Sequence, residues 1–302
     1  LTKKHGSQYR VRDLELRVPQ NCVYGFLGPN GAGKSTTIKL LLGLLRPTSG
    51  EIYFFGQKMN EKNRLSILRN TGSLIESPSF YGHLTGLENL QIVAKLKKVS
   101  ASEIEKVLHT VRLYDQRNKQ VKQYSLGMKQ RLGIAMALLG NPKVLFLDEP
   151  TNGLDPAGIV EIRNLLKSLN KEYGMTILVS SHILEELYQT ASEFILIDKG
   201  KIIEEISDRE LNDRCKRHIA IKATDPQKAL IVLEETLHTD SFKLMPDGII
   251  RLYDYLDDME KVAAALSDAH ILVTGLSVAG DTLEDYFLSK IGGTGNVKSP
   301  KS

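Results

Sequence analysis

Gly28-Pro29-Asn30-Gly31-Ala32-Gly33-Lys34-Ser35 follows an apolar run, Val23 to Leu27, and opens a segment with buried-helix patterning. It satisfies GxxxxGK[ST] in the strand–turn–helix context that makes the pattern specific for a phosphate-binding P-loop. Glycines let the backbone curl until successive N–H groups and the helix N-terminus face phosphate oxygens. Lys34 adds positive charge, and the Ser35 hydroxyl is placed to reach Mg²⁺. A chance match would be a Gly-rich turn, which the flanking strand and helix disfavour. Phosphate recognition therefore involves Gly28, Pro29, Asn30, Gly31, Ala32, Gly33, Lys34 and Ser35, with Thr36 beside them.

A loop of this kind needs a buried sheet behind it, and the rest of the chain supplies one. Strand-like runs recur at 13–18, 51–55, 72–75, 144–148, 176–180, 194–198 and 201–206, with helical patterns at 34–45, 85–97, 102–111, 126–139, 159–173 and 183–190. This alternation predicts an α/β fold with a mostly parallel sheet. Between about residues 77 and 141 only helices are expected, so that stretch reads as a helical insertion. After Arg214 the texture changes to a strand, a helix, a hairpin around Pro246-Asp247-Gly248, a helix, a strand and a last helix. The expected organisation is a domain over 1–214, a small α+β domain over 215–291 and a disordered polar tail over 292–302.

Val144-Leu145-Phe146-Leu147-Asp148-Glu149 is an apolar strand ending in two adjacent carboxylates, the Walker B pattern. Neighbouring strand residues point to opposite faces, so the two acids can divide the work. Asp148 is expected to serve Mg²⁺ and its waters, and Glu149 an attacking water. An apolar strand ending in two acids is commonly only a strand meeting solvent; the P-loop makes the catalytic reading the better one. Composition excludes other classes. No apolar stretch approaches the roughly 18 residues of a membrane span, and the first residues lack a secretory signal's apolar segment, so a location inside the cell is expected. Cys22 and Cys215 are too far apart for a metal-binding motif. A net charge of +4 is no nucleic-acid-binding stripe.

Tyr124-Ser125-Leu126-Gly127-Met128-Lys129-Gln130-Arg131, shortly before Asp148, resembles the signature of ATP-binding cassette ATPases. Ser125 and Gly127 match the serine and second glycine of LSGGQ, whereas Tyr124, Leu126 and Met128 depart from it. Asn152-Gly153-Leu154-Asp155 resembles that family's D-loop, and His182 its switch histidine. Five motifs in the family's order imply a P-loop NTPase cassette with N-terminal antiparallel strands, which binds ATP with Mg²⁺ and hydrolyses ATP. The resemblance implies that Ser125 and Gly127 close over the γ-phosphate held by a second copy, that Asp155 links the two sites, and that His182 contacts the γ-phosphate. The adenine-stacking position matches His5, with Tyr9 as the alternative.

Glu76 stands where the family's strand normally ends in Gln. A carboxylate adds negative charge near metal and phosphates and cannot donate a hydrogen bond. The plain reading is a tolerated isostere. Glu76 with the Tyr-Ser-Leu-Gly-Met-Lys-Gln-Arg form of the signature resembles ATPases of lantibiotic-immunity and bacitracin-resistance exporters. That resemblance implies a peripheral subunit on the cytoplasmic face of the membrane, a separate integral permease, a second cassette, no nucleic-acid partner, and Glu76 near Mg²⁺. A generic exporter with other cargo is the nearest alternative, and a soluble ATP-dependent switch a more distant one. Lys95, Lys97 and Lys98, and the acidic run Asp254, Asp257, Asp258 and Glu260, read as solvated faces.

Overall fold

The computed structural model of the protein describes residues 1–76, 79–280 and 283–291. The tail expected over 292–302, and Ser77 and Pro78 at the expected start of the insertion, lie outside them. Contacts divide the chain into two units, residues 1–208 and residues from Arg209 on. The divide falls shortly before the break expected after Arg214, because a helix over Asp208–Cys215 follows the last strand of the first unit without a linker.

In order, the first unit contains β1 (Lys3–His5), β2 (Gln8–Val11), β3 (Val23–Leu27), α1 (Lys34–Leu41), β4 (Tyr53–Phe54), β5 (Gln57–Lys58), α2 (Arg64–Leu68) and β6 (Thr71–Leu74). It continues with α3 (Gly86–Lys97), α4 (Ala101–Thr110), α5 (Leu126–Leu138), β7 (Val144–Asp148), α6 (Pro156–Tyr173), β8 (Thr176–Ser181), α7 (Leu184–Tyr188), β9 (Glu193–Asp198) and β10 (Lys201–Ser207). Six strands form the central sheet in the order β10-β9-β3-β8-β7-β6. All neighbours are parallel except β10 against β9. β3 and β8 are buried along their whole length, as expected for strands covered on both faces. Their continuous apolar runs are the reason they read clearly in the sequence.

The strand expected over 13–18 is absent. Asp13 turns the chain with φ 49°, Pro19 has no N–H to give a ladder, and the alternation of Leu14, Leu16 and Val18 packs them on the core. The antiparallel strands lie just upstream instead, where β1 pairs β2 across Gly6 at φ 60°.

From 79 to 141 the described residues contain helices and no strand of the sheet. Thr85 caps α3 in a capping box with Glu88, a device that fixes where the helix begins. Lys97, expected to be a purely solvated charge, ties this insertion together. Its ammonium donates to the carbonyls of Met136 (3.2 Å), Ala137 (3.3 Å) and Leu139 (2.8 Å) at the end of α5. The accompanying desolvation lowers its pKa.

The second unit holds α8 (Asp208–Cys215), β11 (His218–Ala223), α9 (Pro226–Glu235), β12 (Phe242–Leu244), β13 (Ile250–Leu252), α10 (Met259–Asp268), β14 (Val273–Ala279) and α11 (Leu283–Ile291). Its sheet runs β12-β13-β11-β14, all antiparallel. With a helix after the first and third strands, this is the β-α-β-β-α-β split arrangement. Ile219, Ile221, Ile250 and Leu252 point to the helices and are fully buried.

Candidate functional site: a phosphate cradle with a paired carboxylate

β3 delivers the chain into the P-loop under tight steric control. A Cβ on Gly28 would lie 2.3 Å from the Ile197 carbonyl oxygen, and one on Gly33 2.7 Å from that of Arg10. Gly33 also sits at φ 110° as the N-cap of α1, a conformation that side chains rarely adopt. These two glycines are what bring the loop against β9 and β2. Lys34 is only 5% exposed. Its Nζ donates to the carbonyls of Gly28 (2.6 Å) and Pro29 (3.2 Å) and lies 3.1 Å from Glu149 Oε1.

Asp148 ends β7 and is buried, accepting a 2.6 Å hydrogen bond from the Ser180 hydroxyl. The Glu149 amide donates to the Ser180 hydroxyl oxygen (3.0 Å) and carbonyl (3.2 Å). Glu149 has φ 50°, so the chain turns left-handed at that residue, and its carboxylate reaches both Lys34 and His182. Glu149 Oε2 lies 2.7 Å from His182 Nδ1. Ser180, which sequence reasoning missed, orients both acids. It is fully buried, and the parallel register sets it beside Asp148. A polar residue closing the apolar run of β8 was the available signal.

A cavity of about 370 Å³ opens over this cradle, lined by Lys3, His5, Arg10, residues 30–36, Leu45 and Glu149. His5 is thus in the cavity wall. Tyr9 pairs with Lys4 across the hairpin, with Lys4 Nζ 4.5 Å and the Arg12 guanidinium 4.9 Å from its ring centre, and it is not among the lining residues. Arg10 and Lys3 are cations that sequence reasoning passed over. Lys3 donates to the Arg46 carbonyl at 2.7 Å, whereas the exposed Arg10 side chain makes no hydrogen bond or ion pair with protein among the described residues.

Other expected residues lie outside this cavity. Ser125 caps α5, accepting from the Met128 amide at 3.2 Å, and Asp155 caps α6, accepting from the Gly158 amide at 2.9 Å. Their segments touch: a Cβ on Gly153 would lie 3.3 Å from Leu126 Cδ2, and one on Gly127 3.9 Å from Leu154 Cδ2. Glu76, at φ 57°, points its exposed carboxylate to Lys39 Nζ at 2.6 Å. Lys39 lowers its pKa, through the hydrogen bond first and charge second.

The donors present suit a nucleotide that brings its own metal ligands. Among the described residues no group of three or more His, Cys, Asp or Glu side chains could hold a metal ion. Mg²⁺ commonly keeps several waters and takes one or two protein ligands plus substrate phosphates, a requirement that the chemistry of the Ser35 hydroxyl and the buried Asp148 carboxylate would fit. Among the described residues, no helix is long and apolar enough to cross a membrane.

A family profile described as ABC transporter matches residues 11–152. The bacitracin transport ATP-binding protein BcrA of Bacillus licheniformis is 46% identical over 97% of this chain and 96% of its own length. BcrA of Enterococcus faecalis is 43% identical over 98% and 96%. The lantibiotic transport ATP-binding protein SrtF of Streptococcus pyogenes is 46% identical over 67% of this chain and 86% of its own. Among solved structures, the ATP-binding cassette MJ0796, a dimer in a post-hydrolysis state bound to ADP and Pi, superposes with a TM-score of 0.62 at 28% identity, covering 69% of this chain and 95% of that one. The P-loop, the carboxylate pair and the near full-length similarity to the BcrA proteins lead to one assignment: the chain belongs to the ABC transporter family and is an ATP-binding ATPase.

Proposed function

We propose that this chain is the ATP-hydrolysing subunit of an exporter that confers resistance to a peptide antibiotic of the bacitracin type. It works peripherally on the cytoplasmic face of the membrane with a separate integral permease and a second copy of the cassette. The observation that carries the reading is the extent of similarity to the BcrA proteins, which runs through both units, whereas that to SrtF covers about two thirds of the chain. The test is Lys34→Ala in the native host, with expression verified, against a panel of bacitracin and lantibiotics. Loss of resistance to bacitracin supports the assignment, and unchanged susceptibility throughout removes the antibiotic cargo.

The chemistry follows from the ion pair at the cradle. Glu149 lies beside Lys34 as its counter-charge. Phosphate oxygens entering the cradle take over Lys34 and the P-loop amides, and Glu149 is left with His182 as its partner. From there Glu149 orients the attacking water and takes its proton, while His182 contacts the γ-phosphate. When bound, Mg²⁺ would supply charge neutralisation on the phosphates, and Ser35, Asp148 and Glu76 are the residues that would hold it, directly or through water. His5 stacks on adenine. Ser125 and Gly127 of the second copy close over the γ-phosphate, and Asp155 links the two sites.

Arg10 adds a cation over the same cavity. Arg10→Ala is expected to raise the KM for ATP about three- to tenfold with kcat unchanged, the size of one partly screened charge-assisted hydrogen bond. Steady-state kinetics at fixed ionic strength checks this, and a fall in kcat at constant KM contradicts it. Glu76→Gln is expected to reduce resistance while changing ATP affinity less than about fivefold, because an exposed ion pair such as Glu76–Lys39 contributes little. Loss of nucleotide binding with unchanged resistance is the result that contradicts it.

A further inference from the structure

We infer that the second unit pairs two copies of this chain by setting the basic sheet face of one against the acidic loop end of the other. The sheet has a helix-covered face and an opposite face, and register assigns each residue to one of them. Ala220 lies across from Arg251 and from Ser277, Lys222 from Gly275, and Lys243 from Arg251. These residues alternate with the buried Ile219, Ile221, Ile250 and Leu252, so they occupy the opposite face. Ala220, Gly275 and Ser277 leave the side of this face toward the β14 edge low and flat. Lys222, Lys243 and Arg251 rise beside it, and Lys216 Nζ lies 3.9 Å from the Tyr253 ring centre. The strand residues of this face include no carboxylate, and none of these four cations forms an ion pair among the described residues.

The complementary charge is in the same unit. Glu234 and Glu235 end α9, and Asp240, Asp257, Asp258 and Glu260 lie in the loops and first turn that follow α9 and β13, all exposed. Two bonds hold these loops together: the Tyr253 amide donates to the Ser241 carbonyl at 2.9 Å, and the Thr239 hydroxyl donates to Asp254. The acidic end adjoins the basic face, since Asp254 follows Tyr253 directly. An anionic bilayer or a nucleic acid lying on the basic face would meet this rim and be repelled. A second copy satisfies both patches at once, because in a two-fold arrangement each face receives the other's loops.

Four strands at about 4.8 Å spacing and about 3.3 Å per residue give a footprint of roughly 300–400 Å², below the ~800 Å² per partner of a standard interface. The contact is therefore weak and salt-dependent. It raises the effective concentration of one cassette for the other and does not replace the nucleotide-dependent contact.

The test uses the full chain without nucleotide. Equal parts of ¹⁴N- and ¹⁵N-labelled protein are joined with a zero-length carbodiimide and mapped by mass spectrometry, and self-association is followed by sedimentation. Mixed-isotope links from Lys216, Lys222 or Lys243 to Asp257, Asp258 or Glu260 are expected. Self-association should weaken about tenfold or more from ~0.05 to ~0.5 M salt. Lys243→Glu with Arg251→Glu should weaken it similarly, and adding Asp257→Lys with Glu260→Lys should restore it, with thermal melting confirming folded variants. The inference is overturned if these links are absent, or if the reversed variant associates like the parent. It is equally overturned if charge reversal removes binding to phosphatidylglycerol vesicles or to an RNA oligonucleotide and leaves self-association intact. None of these readouts depends on the antibiotic assignment.

Discussion

Glu149→Gln is expected to lower steady-state ATP hydrolysis by about 10²–10³-fold, within the range a positioned general base contributes, and to leave ATP binding intact. The amide has the carboxylate's shape but cannot accept a proton from water at neutral pH. It also removes the negative charge 3.1 Å from Lys34 Nζ, so nucleotide no longer has to displace an ion pair to reach the lysine. ATP should consequently hold two copies together longer than in the parent protein. Phosphate release, with light scattering of the ATP-saturated variant, checks both consequences. A variant that turns over like the parent removes Glu149 from the role of base. One that is inactive but monomeric with ATP breaks the link between hydrolysis and separation of the copies.

Lys34→Ala is expected to lower kcat/KM by at least about 100-fold, in line with the loss of one preorganised group that stabilises charge. The lysine does two things that no neighbour can replace. Its buried ammonium fastens the loop through the Gly28 and Pro29 carbonyls, and it supplies the positive charge inside the cradle. Arg10, outside in the cavity wall, is not placed to substitute. Lys34→Arg should also fail to rescue, since a planar guanidinium cannot occupy the position of a compact ammonium between two carbonyls and a carboxylate. Binding of a fluorescent ATP analogue, with melting temperature as a control for folding, separates loss of the site from loss of the fold. Retained affinity together with retained turnover is the outcome that removes Lys34 from the mechanism.

The parts of the fold that were legible are those where local pattern and burial agree. β3, β7, β8 and β9 are continuous apolar runs, and α6 was expected over 159–173, one turn short of its start at Pro156, which Asp155 caps. The run over 13–18 misled because period-two alternation reports a half-buried segment, and only a neighbouring strand makes such a segment a ladder. The short α2 is only five residues long, and α8 has a single buried residue, Leu211, so neither carries a helical stripe that can be read in isolation. Within the site, Lys34, Asp148 and Glu149 were readable from spacing. Ser180 and Arg10 were not, because each matters through a neighbour distant in sequence.

What the sequence by itself determined was the chemistry available: the Gly-rich loop with its lysine, the two carboxylates after an apolar strand, His182 after another, and the family to which their order belongs. These are local properties, since glycine freedom, helix capping and strand burial act over a few residues. Tertiary structure decided how those groups are used. Only the parallel register of β7 and β8 sets Ser180 between Asp148 and Glu149, and only the approach of β7 to the P-loop pairs Glu149 with Lys34. It turned Glu76 to Lys39 and set Lys222, Lys243 and Arg251 on one face of the sheet in the second unit. Distances of a few ångströms between residues far apart in the chain set these relations, and a linear pattern does not encode them.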